Sequence, residues 1–200
     1  MNAPNLLPFH GEVYFFPGFI SAKESEIYLH ALMRDVPWEH RAIKIFGKEV
    51  MQPRLVAWFA DAGQTYRYSG LSLAANEWNP ALLAIRQKIK KLCGIQFNSA
   101  LLNLYRNGND TVGWHRDNET ELGAQPVIVS VSLGAPRNFV FRSYHHKETK
   151  IKLNLGSGSL LLMTGETQEY WEHTLPRAPK VLEPRLNITF RKITMQVTEQ

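Results

Sequence analysis

The chain has one cysteine, Cys93, so it cannot close an intramolecular disulfide. Such usage fits a reducing compartment. No apolar run approaches the ~20 residues that a helix needs to cross a bilayer. The opening stretch, MNAPNLLPFHGEVYFF, lacks the basic n-region and cleavage site of a secretory leader. There is also no internal repeat, low-complexity tract or long linker. These absences set aside disulfide scaffolds, helical membrane proteins and solenoids. The expectation is a cytoplasmic protein with no membrane contact, and a monomer, since nothing in the sequence demands more. Its 200 residues form one domain, large enough for a substantial core, and 44% apolar with 20% charged residues is an ordinary globular balance. A net charge of +5 tolerates a polyanionic partner without demonstrating one.

Two helices are signalled by their ends. SAKESEIYLHALMRD opens on Ser21 with Glu24 three residues on, a capping box. NPALLAIRQKIKKLCG has Asn79 as cap, Pro80 at the first helical position and Gly94 as the stop. From about residue 97 the pattern turns to short β-type runs: ALLNLYRN, VIVSVSLG, NFVFRS, TKIKLNL, SLLLMTG and RLNITFRKI, separated by Gly, Asn and Pro. Six or more short strands without intervening helices predict a mainly β fold with flanking helices, a sandwich, barrel or jelly roll. RAIKIFGKEV reads as a hairpin with a Gly-Lys turn, and RLVAWFA as a strand. The chain then divides into helical support and hairpin material at about 1–95 and a β-core at about 96–195.

The chemistry starts from GWHRDNE, which sets His115, Asp117 and Glu119 two residues apart. On an extended segment all three share one face. A histidine beside a carboxylate is often a surface ion pair, and the motif alone is weak. Non-haem Fe(II) oxygenases, however, hold iron with two histidines and one carboxylate. The second histidine is best supplied by His173 in YWEHTLPR, after the GSGSLLLMTGE strand and turn. His10 and His30 lie in the helical half, His40 follows the first helix, and His145 and His146 sit in a hydrophilic turn. In EPRLNITFRK, Arg185, Asn187 and Arg191 share one strand, with Arg185 and Asn187 on one face. Arginine within an apolar strand is costly unless it meets an anion. The plainer reading has both arginines at strand ends, reaching solvent. Yet guanidinium groups are the preferred bidentate partners of carboxylates, and a dicarboxylate would use two.

The order NLY, HRDNE, H and RLNITFR resembles the AlkB family of Fe(II)/2-oxoglutarate dioxygenases, which repair alkylated bases on a double-stranded β-helix. The resemblance implies that His115, Asp117 and His173 bind Fe(II), and that Asn103, Tyr105, Arg185, Asn187 and Arg191 hold 2-oxoglutarate. Arg185 would meet the far carboxylate and Arg191 the one beside the keto group. O2 completes the co-substrates, and the reaction implied is oxidative dealkylation of 1-methyladenine- and 3-methylcytosine-type lesions in alkylated DNA or RNA.

The stretch IFGKEVMQPRLVAWFADAGQTYRYSG is similar to the nucleotide-recognition region of the family's double-strand-DNA-active members. That similarity implies a wedge at Phe46, base stacking by Tyr66 and Tyr68, a basic contact near the opposite strand or backbone at Arg54, and base reading by Glu119. On residue types alone, a hairpin phenylalanine can cover its own strands, and aromatics at i and i+2 are more often core. Two competing readings are the same oxygenase chemistry on a non-nucleic-acid substrate, and a non-catalytic nucleic-acid-binding β-sandwich.

Overall fold

The computed structural model describes residues 3–45, 47–64, 66–68, 71–73 and 75–194, by their backbone alone at 44, 45, 66–68 and 71–73. In chain order the elements are β1 (Glu12–Phe16), α1 (Ala22–Asp35), β2 (Ala42–Ile45), β3 (Lys48–Met51), β4 (Leu55–Ala60), β5 (Tyr66–Tyr68), β6 (Leu71–Leu73) and α2 (Pro80–Cys93). There follow β7 (Ser99–Tyr105), β8 (Val112–His115), β9 (Ile128–Gly134), β10 (Arg137–Ser143), β11 (Lys150–Leu155), β12 (Ser159–Thr164), α3 (Thr167–Tyr170), β13 (Trp171–Leu175) and β14 (Arg185–Arg191).

Both long helices begin and end where local chemistry dictates. The Ser21 hydroxyl accepts from the Glu24 N–H and donates to its carboxylate, at 3.3 and 2.9 Å. Asn79 Oδ1 accepts from the Leu82 N–H at 2.9 Å, and Gly94 closes α2 at φ 74, a left-handed conformation that glycine adopts without a steric penalty.

The strands form a six-stranded sheet, β1-β12-β9-β14-β7-β4, and a four-stranded sheet, β11-β10-β13-β8. Their pairings are antiparallel. Together they make the double-stranded β-helix, or jelly roll. Strand alternation divides the core in two. Leu102, Leu104, Val129, Val131, Leu186, Ile188 and Phe190 pack with Leu32, Leu82, Ile85 and Ile89 of the helices. On the other side, Leu101, Tyr105, Leu161 and Met163 meet Phe139, Phe141, Trp171 and Leu175 of the four-stranded sheet. The large sheet is therefore covered on both faces, which explains why its central strands are buried throughout.

Two expectations change here. The division at about residue 95 does not follow the sheets, because β1 and β4, from the first half, form the two edges of the large one. The hairpin turn lies one residue earlier than read: Ile45 pairs with Lys48, so Lys48 belongs to β3 and Gly47, at φ 77, to the turn. Left-handed backbone selects the glycine for that position.

Candidate active site

Strand β14 faces two ways. Its apolar residues turn to the helices, while Arg185, Asn187, Thr189 and Arg191 turn inward between the sheets, none more than 8% exposed. The solvent-reaching alternative for the arginines does not hold. The register places Asn187 opposite Asn103 on one side and Ser132 on the other, and Arg185 opposite Tyr105. Asn187 donates from Nδ2 to Ser130 Oγ at 2.7 Å, Thr189 donates to Asn187 Oδ1 at 3.1 Å, and Arg185 donates to Ser132 Oγ at 2.8 Å. The Arg185 guanidinium lies 5.3 Å from the centre of the Tyr105 ring. Among the described residues no carboxylate lies within ion-pair reach of Arg185, and its Nε has no partner. Burial pushes its pKa down to about 10, against the pull of Tyr105.

Across the cleft, β8 and β13 bring His115 opposite His173, ring centres 4.3 Å apart. Asp117 reaches the same point from the coil after β8. One ligand atom from each of the three lies within 4.8 Å of the others, and among the described residues this is the one such cluster of three. His115 Nδ1 sits 2.9 Å from the Gly113 carbonyl. A carbonyl only accepts, so Nδ1 is the donor there, and Nε2 lies 3.7 Å from Asp117 Oδ1. His173 is 3% exposed between Phe139, Phe141 and His115. Burial, then His115 and Arg191, push its pKa down to about 3 against the pull of Asp117, so it is neutral at pH 7. Burial works against ionising Asp117, but Arg191, then both histidines, outweigh it and hold the carboxyl well below the usual range. Arg191 donates to Asp117 Oδ2 at 2.7 Å, while Asp117 Oδ1 is buried with no hydrogen-bond partner. Two imidazoles and an ionised carboxylate whose Oδ1 has no hydrogen-bond partner are a donor set that fits Fe(II).

The expected residues do not all converge. His115, Asp117, His173, Asn103, Tyr105, Arg185, Asn187 and Arg191 line one cleft. Arg191, expected only on the co-substrate, is bonded to Asp117. Arg54, expected near nucleic acid, is 4% exposed and donates to Asn103 Oδ1 at 2.7 Å and the Thr111 carbonyl at 3.2 Å. Its guanidinium is turned into the protein there, against Asn103 and Thr111. Glu119 is half-buried at the start of a turn, Thr120–Leu122, and does not line the cleft. The extended-face argument stops at His115, where β8 ends. Phe46 lies outside the described residues, as do the side chains of Tyr66 and Tyr68, whose backbone forms β5. Sequence reasoning missed Ser130, Thr189, Phe139 and Met163 of the lining, together with Ser132, the partner of Arg185. The serines were signalled by the small polar residues alternating through VIVSVSLG.

The pattern of the 2OG-Fe(II) oxygenase superfamily matches residues 12–191. Over 187 residues the chain is 40% identical to the alpha-ketoglutarate-dependent dioxygenase alkB homolog 3 of Bos taurus, covering 88% of this chain and 64% of that protein. It is 42% identical over 183 residues to the DNA oxidative demethylase ALKBH2 of Homo sapiens, covering 86% and 66%. The chain thus spans just under two thirds of these relatives' length. The solved structure of OsALKBH1 shares the fold, with a TM-score of 0.66 at 17% identity over 94% of this chain and 100% of that one.

Proposed function

Because the chain belongs to the AlkB family of the 2OG-Fe(II) oxygenase superfamily, we propose that it oxidatively dealkylates bases of the 1-methyladenine and 3-methylcytosine type in DNA, with RNA a second substrate. One observation carries the reading: a His115–Asp117–His173 cluster, half-buried at His115 and buried at the other two, faces a buried Arg185 that no carboxylate answers among the described residues. One suits a cation, the other an anion, so the cleft suits a metal ion beside a dicarboxylate. The names of the relatives support the same reaction class.

His115, Asp117 and His173 would hold Fe(II). Fe(II) held there would supply, with 2-oxoglutarate and O2, hydroxylation of the N-alkyl carbon, giving the free base and an aldehyde, with succinate and CO2 from the co-substrate. Arg185, steadied by Ser132 and Tyr105, takes the far carboxylate. Asn103, Tyr105 and Asn187 complete the cradle, with Arg191 near the carboxylate beside the keto group. Phe46 fills the gap left by the extruded base, and Tyr66 and Tyr68 stack on it. Glu119 accepts from the exocyclic amino group and favours a cationic lesion over a neutral base. The hairpin β2–β3 suits this work: it pairs with no other strand among the described residues and exposes Val50 and Met51. Residues 1–200 act as one dioxygenase unit, a cytoplasmic monomer.

The test is a panel of single- and double-stranded oligonucleotides bearing each lesion, assayed with Fe(II) and 2-oxoglutarate for succinate and restored base. Turnover confined to peptides, lipids or small molecules would reject the nucleic-acid reading. Failure to bind metal would reject the enzyme reading.

A further inference from the structure

Asp117 stands in an unusual position for a residue that must hold a fixed geometry. β8 ends at His115, so no strand ladder fixes the Asp117 backbone. Its N–H donates instead to a side chain, Gln168 Oε1, at 2.9 Å. Gln168 is 2% exposed, and its Nε2 donates to Met163 Sδ at 3.5 Å, so both ends of the amide are held. Behind this contact the chain is not solidly packed: a solvent-open hollow is lined by Asn118, Gln125, Pro126, Glu166 and Gln168 itself. Gln168 therefore spans the space between the Asp117 loop and the short helix α3. Helix α3 leads directly into β13, the strand that carries His173. One side chain thus ties together the two segments that bear the acidic ligand and the distal imidazole.

We propose that Gln168 is a positioning residue for the metal centre, setting the backbone of Asp117 relative to His173. The inference rests on the metal-binding reading of His115, Asp117 and His173. Arg191 fixes Asp117 Oδ2 from the large sheet, so Gln168 and Arg191 hold the residue at its two ends and leave Oδ1 to face the ion. Hydrogen-bond partners of ligating groups commonly change metal affinity 10–100-fold when removed. Acting through the backbone N–H is a variant of that effect, since it moves the whole residue rather than its charge.

The experiment is titration of the metal-free full chain with Co(II), following both the dissociation constant and the ligand-field absorption. Gln168→Leu keeps the bulk and removes the acceptor; it is expected to weaken Co(II) binding roughly 10–100-fold and to alter the absorption bands. Gln168→Glu keeps an acceptor for the Asp117 N–H and is expected to recover most of that affinity and the wild-type band positions. A Gln168→Leu protein that binds Co(II) like the wild type overturns the inference. So does equal weakening in both variants with unchanged spectra, which marks a merely structural residue. Should Gln168→Leu fail to fold, Gln168→Asn decides: its shorter arm withdraws the acceptor, and unchanged Co(II) affinity and bands there overturn the inference. Wild-type protein that fails to bind Co(II), or His115→Ala protein that binds it equally well, would instead sink the metal-centre reading beneath it.

Discussion

Arg185 is 2% exposed, its guanidinium lies against Tyr105 and Ser132, and its charge is answered by no acidic side chain among the described residues. A buried charge left in this way opposes folding, and replacing one with an apolar residue of similar volume is often neutral or stabilising. Arg185→Met should therefore leave the melting temperature of the metal-free protein unchanged or raised. The same change removes charge-assisted hydrogen bonds of ~1.5–3 kcal/mol each, so 2-oxoglutarate affinity should fall about 100-fold or more. Calorimetric titration of the Mn(II)-loaded protein measures the second effect, and unchanged affinity would remove Arg185 from the co-substrate site. The spacing that puts Arg185 and Asn187 on one face was legible in RLNITFRK. Its burial was not, because strand-end arginines ordinarily reach water and only the covering four-stranded sheet denies it here. The contact of Arg54 with Asn103 was not legible either, because the two lie 49 positions apart.

At the level of elements, the turn from β7 to β8 is held shut by a carboxylate. Asp110 accepts from the Arg106 N–H, Nε and NH2 at 2.8, 2.8 and 2.9 Å. Gly108 in the same turn has no room for a Cβ, which would fall 1.7 Å from the Ala178 carbonyl oxygen. Burial of Asp110 opposes ionisation, but Arg106 outweighs it and holds the carboxyl below the usual range. A depressed folded pKa gives stability that is present above the unfolded value, ~3.9, and lost as pH falls through the folded one. Asp110→Asn should thus lower the melting temperature at pH 7 by roughly 2–10 °C. The gap to wild type should close below about pH 4, and a pH-independent gap would show that the charge is not involved. For the hairpin β2–β3, Phe46→Ala should weaken dealkylation of duplex more than of single strands; equal loss on both would count against a wedge. Elements announced by local chemistry were legible: both capped helices, and the apolar strands β7, β9, β10, β11, β12 and β14. Those missed were β1, β5, β6, β8, β13 and the short helix α3. β13 carries Glu172, His173 and Thr174, all buried, and a polar run reads as a loop until the cleft it lines is known.

On the scale of the whole molecule, the cleft lies between two sheets that each supply half of it. Asn103, Tyr105, Asn187 and Arg185 come from the large sheet, and His115 and His173 from the small one. The Arg191–Asp117 pair is a direct polar link between the large sheet and the coil that follows β8. Ligands that fill the cleft should therefore act as cross-links between sheets, stabilising the fold by their binding free energy. At 100-fold excess over its dissociation constant a ligand contributes ~2.7 kcal/mol, about 5–10 °C for a chain of this size. Mn(II) alone should raise the melting temperature, because one ligand atom from each of His115, Asp117 and His173 already lies within 4.8 Å of the others. 2-Oxoglutarate alone should do little, since the carboxylate beside its keto group would face Asp117 without an intervening cation. Together they should exceed the sum of the separate shifts, and in Arg185→Met only the Mn(II) shift should remain. Thermal scans of the four ligand states of both proteins provide the measurement. A full 2-oxoglutarate shift without metal would mean that the arginines alone bind it, and that the two halves of the cleft are not coupled through the ion.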